Sequence, residues 1–168
     1  MPGYREIGLI SNTGPVLALS GAGCLELLRD LYSSVTVPNA VHEELVQGGK
    51  SGLGLSSYLA ATWIQIEPPS RIDPLLLAQL DQGEAAVITI ALHKNNLATL
   101  IDERKARRIA RTIYGLEVFG TVRVLLEAKK AGLIDNVSEI LTIMRANGYW
   151  IHENIVEHAL RKAGEKGR

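Results

Sequence analysis

Short apolar runs alternate with helical stripes along the whole chain. Ile7-Gly8-Leu9-Ile10 is an unbroken apolar run of the length a buried strand carries. Residues 16–22 and 25–31 follow the spacing of helical segments. Val35-Thr36-Val37 predicts a short strand stopped by Pro38, after which Asn39 caps a helix running through Glu44 to Gln47. Trp63-Ile64-Gln65-Ile66 predicts another strand, closed by Pro68-Pro69. Asp73 with Pro74 marks the next helix start, and Gly83-Glu84 opens a helix to about His93. Residues 97–101 predict a strand, with Asp102 starting the following helix. Glu117-Val118-Phe119 predicts a strand, with Thr121 capping a helix to about Lys130. Helical segments near 137–146 and 153–163 finish the chain.

Strand followed by helix, repeated, is the pattern of a parallel sheet covered on both faces. Right-handed crossovers bring the C-terminal ends of such strands to one edge, where sites form. The fold class is therefore α/β. At 168 residues the chain corresponds to a single domain over 1–168, with the helical segment at about 137–163 packed on it.

Composition narrows the chemistry. Hydrophobic residues make up 46% and charged residues 21%, ordinary for a globular protein that folds without a staple. One cysteine, Cys24, excludes an internal disulfide framework and a multi-cysteine zinc site, and reads as core packing. Eighteen basic against eighteen acidic residues give no global attraction to nucleic acid. No apolar run reaches the roughly 18 residues of a membrane span and no signal peptide is visible, so the expectation is a cytoplasmic protein without membrane contact. The Gly-Gly-Lys-Ser-Gly-Leu-Gly stretch at 48–54 contains Gly-Lys-Ser, but the required upstream glycine position holds Glu44, so it reads as a surface turn and not a phosphate loop.

The polar residues expected at the strand edge carry the chemistry. Asn12 follows the first strand, Glu44 sits in the helix after the second, Glu84 begins a helix, and Asp102 with Glu103 ends the strand over 97–101. Clustered carboxylates repel unless a cation neutralises them, and hard oxygen donors suit Mg²⁺ or Mn²⁺. Each acid also has a structural reading. Glu84 favours a helix N-terminus, Asp102 is an N-cap, Glu44 is a solvated charge, and Asn12 is a turn residue.

The segments Ile10-Ser11-Asn12-Thr13-Gly14-Pro15-Val16, Val37-Pro38-Asn39-Ala40-Val41-His42-Glu43-Glu44-Leu45, Leu80-Asp81-Gln82-Gly83-Glu84-Ala85-Ala86 and Leu100-Ile101-Asp102-Glu103-Arg104-Lys105-Ala106-Arg107, in this order, resemble the PIN-domain nucleases, in particular their VapC-like branch. Gly120-Thr121 and the run at 128–134 add to the likeness. The resemblance implies a three-layer α/β/α fold with a central parallel sheet. It implies a Mg²⁺- or Mn²⁺-dependent endoribonuclease, often the toxin of a toxin–antitoxin pair, with a small antitoxin protein and a homodimer as partners. The family's acidic positions map onto Asn12, Glu44, Glu84 and Asp102 as catalytic and metal-holding residues, with Glu103 and the Thr121 hydroxyl as auxiliaries. The family has aspartate where this chain has Asn12. Asparagine keeps an acceptor oxygen but brings no charge, so lost activity, an inactivating substitution and a tolerated neutral ligand are all compatible with it.

Arg104, Lys105, Arg107, Arg108 and Arg111 form the one basic cluster. Ala106, Ile109, Ala110 and Ile113 recur at core spacing in the same helix, which turns the basic residues outward beside Asp102. Arg104, Lys105, Arg107 and Arg108 are the expected RNA-binding residues. At 5% aromatic, extensive base stacking is not expected. His42, His93, His152 and His158 show no metal spacing and read as surface or capping residues. The apolar helices over 16–31 are the expected dimer or antitoxin surface. The alternative to an enzyme is a non-catalytic RNA- or protein-binding module on the same scaffold.

Overall fold

The computed structural model describes residues 6–48 and 54–166. Residues 49–53, most of the expected glycine-rich turn, lie outside them. The chain runs β1 (Gly8–Ser11), α1 (Thr13–Gly21), α2 (Glu26–Leu31), β2 (Val35–Pro38), α3 (Asn39–Gln47), α4 (Leu55–Ala60) and β3 (Ile64–Glu67). It continues through α5 (Pro74–Gln79), α6 (Gln82–His93), β4 (Leu97–Leu100), α7 (Arg104–Thr112) and β5 (Val118–Phe119). Helices α8 (Thr121–Lys130), α9 (Val137–Ala146) and α10 (Glu153–Lys162) follow.

The five strands form one parallel sheet in the order β3-β2-β1-β4-β5. All residues of β1 and β2 are buried, so both faces of the sheet are covered, as the continuous apolar runs predict. Helix α6 packs on β1, β2 and β4. A second group gathers α1, α2, α8, α9 and α10 through mutual contacts. The result is the three-layer α/β/α fold expected from the sequence. Leu9, Ile10, Leu19, Ile88, Leu100 and Leu125 are fully buried at its centre.

The order has a consequence for function. The chain leaves β1 toward β2 and β3, then returns past β1 to form β4 and β5. The crevice between the C-terminal ends of β1 and β4 is therefore the switch point, the place where ligands bind in open parallel sheets. Asn12 follows β1 and Asp102 follows β4, with Ser11 paired to Leu100 and the Asn12 N–H donating to the Leu100 carbonyl at 3.0 Å.

Several local expectations are corrected. Asn39 is the first helical residue of α3, not its cap. Pro38 stays in β2, paired with Glu67, and takes the cap position. Glu103, not Asp102, caps α7, its carboxylate accepting the Lys105 and Ala106 N–H groups at 3.0 and 2.8 Å. Gly120, not Thr121, holds the cap position of α8. Ile113 lies past the end of α7 and is 63% exposed. Helix α4, not expected from the pattern, is anchored by buried Tyr58, whose hydroxyl lies 2.7 Å from His42 Nδ1. The apolar faces of α1 and α2 are spent on the core through Val16, Leu19, Leu27, Leu28 and Leu31, with Leu17 exposed. Among the described residues no helix is long and apolar enough to cross a membrane.

Candidate active site at the sheet switch point

Three elements meet at the β1 side of the crevice. A Cβ placed on Gly83, in the first turn of α6, would stand 3.3 Å from Asn12 Oδ1, 3.3 Å from Val41 Cγ2 and 3.4 Å from Glu44 Oε2. Glycine at this position lets α6 approach the end of β1 and the inner face of α3. Asn12 Oδ1 is buried and has no hydrogen-bond partner among the described residues. A buried acceptor without a partner costs about 1–3 kcal/mol, which a ligand atom placed there would offset.

Glu44 is exposed, and its Oε2 accepts a hydrogen bond from the Thr13 hydroxyl. Glu84 is buried, and it closes a capping box. Its backbone N–H donates to Asp81 Oδ1 at 2.8 Å, and its Oε2 accepts the Asp81 N–H at 3.2 Å. The helix-terminal reading of Glu84 is therefore correct. Burial above all, then the negative charge of Asp81, and less strongly of Glu103 and Glu44, pushes the Glu84 carboxyl above the usual range, against the lowering effect of the Asp81 backbone hydrogen bond.

Asp102 stands across the crevice in a different setting. Its Oδ1 accepts the Thr121 N–H at 2.8 Å, and its Oδ2 accepts the Thr121 hydroxyl at 2.6 Å and the Tyr149 hydroxyl. Burial, followed by the Asp102 charge and hydrogen bond, pushes the Tyr149 phenol well above its ordinary value, so it remains a donor. A Cβ on Gly120 would lie 2.8 Å from Asp102 Oδ1, so glycine is required where α8 begins.

The sequence-predicted residues thus lie at one edge of the sheet with different local partners. Gly83 stands between Asn12 and Glu44, Glu44 accepts from Thr13, Glu84 is tied to Asp81, and Asp102 is tied to Thr121 and Tyr149. Glu103 spends both carboxylate oxygens on capping α7. Among the described residues no three His, Cys, Asp or Glu side chains are close enough to share one ion. The donors that fit a hard cation are the amide oxygen of Asn12 and the carboxylates of Glu44 and Glu84, since a cation there would satisfy the orphan oxygen and offset the repulsion at Glu84.

The basic helix is less uniform than its sequence. Lys105 Nζ donates to the Gln79 carbonyl at 2.7 Å, Arg107 Nη1 to the Asp102 carbonyl at 2.7 Å, and Arg111 Nη2 to the Val118 carbonyl at 2.9 Å. Arg104 and Arg108 are exposed. His152 caps α10 through Nδ1, as a capping histidine should. Half-buried Cys24 packs against the core. Thr13 and Tyr149 were not singled out from sequence. Thr13 sits next to Asn12 and has a signal by position, whereas Tyr149 reaches Asp102 from 47 positions away and has none.

A family model described as a PIN domain matches residues 8–165. No curated protein and no solved structure matches the chain.

Proposed function

Because the chain belongs to the PIN-domain family, whose members are generally nucleases, we propose that it hydrolyses RNA phosphodiester bonds as a metal-dependent endoribonuclease. The observation that carries this reading is the buried, unpartnered Oδ1 of Asn12 beside Glu44 Oε2 at the switch point. Asn12, Glu44 and Glu84 would hold Mg²⁺ or Mn²⁺, while Asp102, hydrogen-bonded to Thr121 and Tyr149, would add negative charge at the same edge of the sheet. A divalent ion so held neutralises phosphate charge and lowers the pKa of a bound water.

The chain's own residues have distinct tasks. The Thr13 hydroxyl orients Glu44, and the capping box orients Glu84. Thr121 and Tyr149 fix Asp102, which keeps an open lone pair because a carboxylate has about four acceptor sites and three donors reach it. Glu103 acts by charge and by capping, not as a ligand. Arg104 and Arg108 contact backbone phosphates, whereas Lys105 and Arg107 shape the site through the carbonyls they hold. The order of the sequence motifs further supports a VapC-like toxin acting in the cytoplasm, paired with a small antitoxin and forming a homodimer. A short reading frame directly upstream that encodes a DNA-binding protein would bear on this narrower assignment.

The test is cleavage of a labelled single-stranded RNA with Mn²⁺ or with chelator, by the native chain and by Asn12→Asp. We expect Mn²⁺-dependent cleavage that Asn12→Asp increases. Two observations favour a second reading, a non-catalytic RNA- or protein-binding module: the neutral amide at Asn12 and the hydrogen bonds that already engage both oxygens of Asp102. RNA binding without cleavage by either form would establish it.

A further inference from the structure

Beside Asp102 lies an open groove of about 840 Å³, bounded by the start of α7, the start of α8 and the segment joining α9 to α10. Trp150 is one of its lining residues and is 79% exposed, the most exposed large hydrophobic side chain among the described residues. Its two neighbours point inward. Tyr149 donates to Asp102, and Ile151 is buried. With both neighbours anchored in the protein, the indole is left outward, lining the groove.

The segment is held firmly. Gly148 turns the chain in the left-handed region at φ +89°, and the Tyr149 N–H bonds to the Met144 carbonyl at 3.0 Å. Arg145 donates to the Ile151 carbonyl at 3.2 Å. The His152 ring meets the indole edge to face, with centroids 5.8 Å apart. A large apolar ring kept in water on an anchored segment indicates a contact surface.

Charge identifies the occupant. Arg104, Arg107 and Arg123 line the groove, the last with its guanidinium 4.9 Å over the Phe119 ring. Arg123 also pairs with Glu117 at 3.7 Å and Arg107 holds the Asp102 carbonyl, whereas Arg104 is exposed; the acidic lining residues, Asp102 and Glu103, have their carboxylates engaged by hydrogen bonds. An aromatic face beside cations is the chemistry that recognises an unpaired base with its phosphates. An apolar peptide would not require the arginines. Resting on the nuclease reading above, we propose that Trp150 is a base-stacking platform that, with Arg104, seats one unpaired nucleotide next to Asp102. A base inside a duplex has both faces covered and cannot use the platform.

The test separates binding from cleavage. With chelator present, a short labelled oligoadenylate and a blunt RNA duplex of equal length are titrated into the full chain, following anisotropy and tryptophan fluorescence. The single strand should bind more tightly and quench the Trp150 signal. Trp150→Ala should weaken it about 5- to 150-fold, the range for one stacked base. Trp150→Phe should retain most of the affinity, and Arg104→Ala should flatten the salt dependence by about one phosphate contact. With Mn²⁺ added, Trp150→Ala should raise KM with little change in kcat. Equal binding of duplex and single strand, or unchanged affinity in Trp150→Ala, would overturn the proposal. So would self-association that Trp150→Ala abolishes without any RNA binding, which would assign the surface to a second copy. Trp150-dependent binding with no cleavage under any condition would sink the nuclease reading and leave this inference standing. Cleavage indifferent to Trp150→Ala at every RNA concentration would do the reverse.

Discussion

At the scale of single residues, Asn12 is the centre of the account. It places a neutral oxygen beside two carboxylates, which keeps the metal-free protein tolerable at the expense of ion affinity. Asn12→Asp adds a negative charge to that neighbourhood. We therefore expect it to lower the melting temperature in chelator and to recover it in Mn²⁺, by differential scanning fluorimetry; equal melting shifts in both conditions would contradict this. Glu84 makes a related prediction. Its folded pKa is raised, chiefly by burial and then by Asp81, so its contribution to stability is fully present below the unfolded carboxylate value of about 4.3 and is lost as pH rises through the higher folded value. Glu84→Gln keeps the amide oxygen that accepts the Asp81 N–H. It should thus be more stable than the native chain in chelator at neutral pH and no more stable at pH values below the carboxylate range. Asn12, Glu84 and Asp102 drew attention in the sequence because each follows a strand or begins a helix at one edge, and Glu44 because it lies in the helix after the second strand. The hydrogen bonds that hold Asp102 were not legible there, because those from Tyr149 and Thr121 span 47 and 19 positions and leave no local trace.

At the scale of elements, the helices other than α4 were readable from periodicity, and the caps of α3, α7 and α8 were misplaced by one residue. The errors at α7 and α8 share a cause. Asp102 and Thr121 are good capping types, but each turns its side chain toward the other, and the adjacent Glu103 and Gly120 take the cap positions. Helix α4 escaped notice because its anchor is Tyr58, paired with His42 across 16 positions. The C-terminal helices offer a clean test of a long-range cap. Glu165 accepts hydrogen bonds from the Val137 and Ser138 N–H groups at the start of α9 and pairs with Lys129 of α8. Burial alone would raise its pKa, but those three donors together hold it below the usual value. Its stabilisation is accordingly present at neutral pH and lost as pH falls through the depressed folded value. Glu165→Ala should cost about 1.5–3 kcal/mol at pH 7, the range for hydrogen bonds to a charged group, and lower the melting temperature by about 2–4 °C per kcal/mol. The difference from the native chain should shrink steadily in melts at acid pH. A constant difference would mean that Glu165 acts by packing alone.

At the scale of the whole molecule, the parallel sheet followed from the alternation of strand and helix, but its order did not. Nothing in the pattern distinguishes β3-β2-β1-β4-β5 from other windings, and it is this order that sets the ends of β1 and β4 side by side. The site is thus a property of topology: Asn12 and Asp102 are brought to one crevice by the return of the chain, and α3 and α6 deliver Glu44 and Glu84 to it. The measurement that bears most directly on this is a calorimetric titration of Mn²⁺ into the metal-free chain at several pH values. The account predicts a saturable site that Glu44→Gln and Glu84→Gln each weaken at least about tenfold, or 1.4 kcal/mol, and that Asn12→Asp tightens. It also predicts affinity that falls as pH drops into the raised range of the Glu84 carboxyl, where protons compete with the ion. Absence of Mn²⁺ binding in both the native chain and Asn12→Asp, or binding indifferent to Glu44 and Glu84, would contradict it.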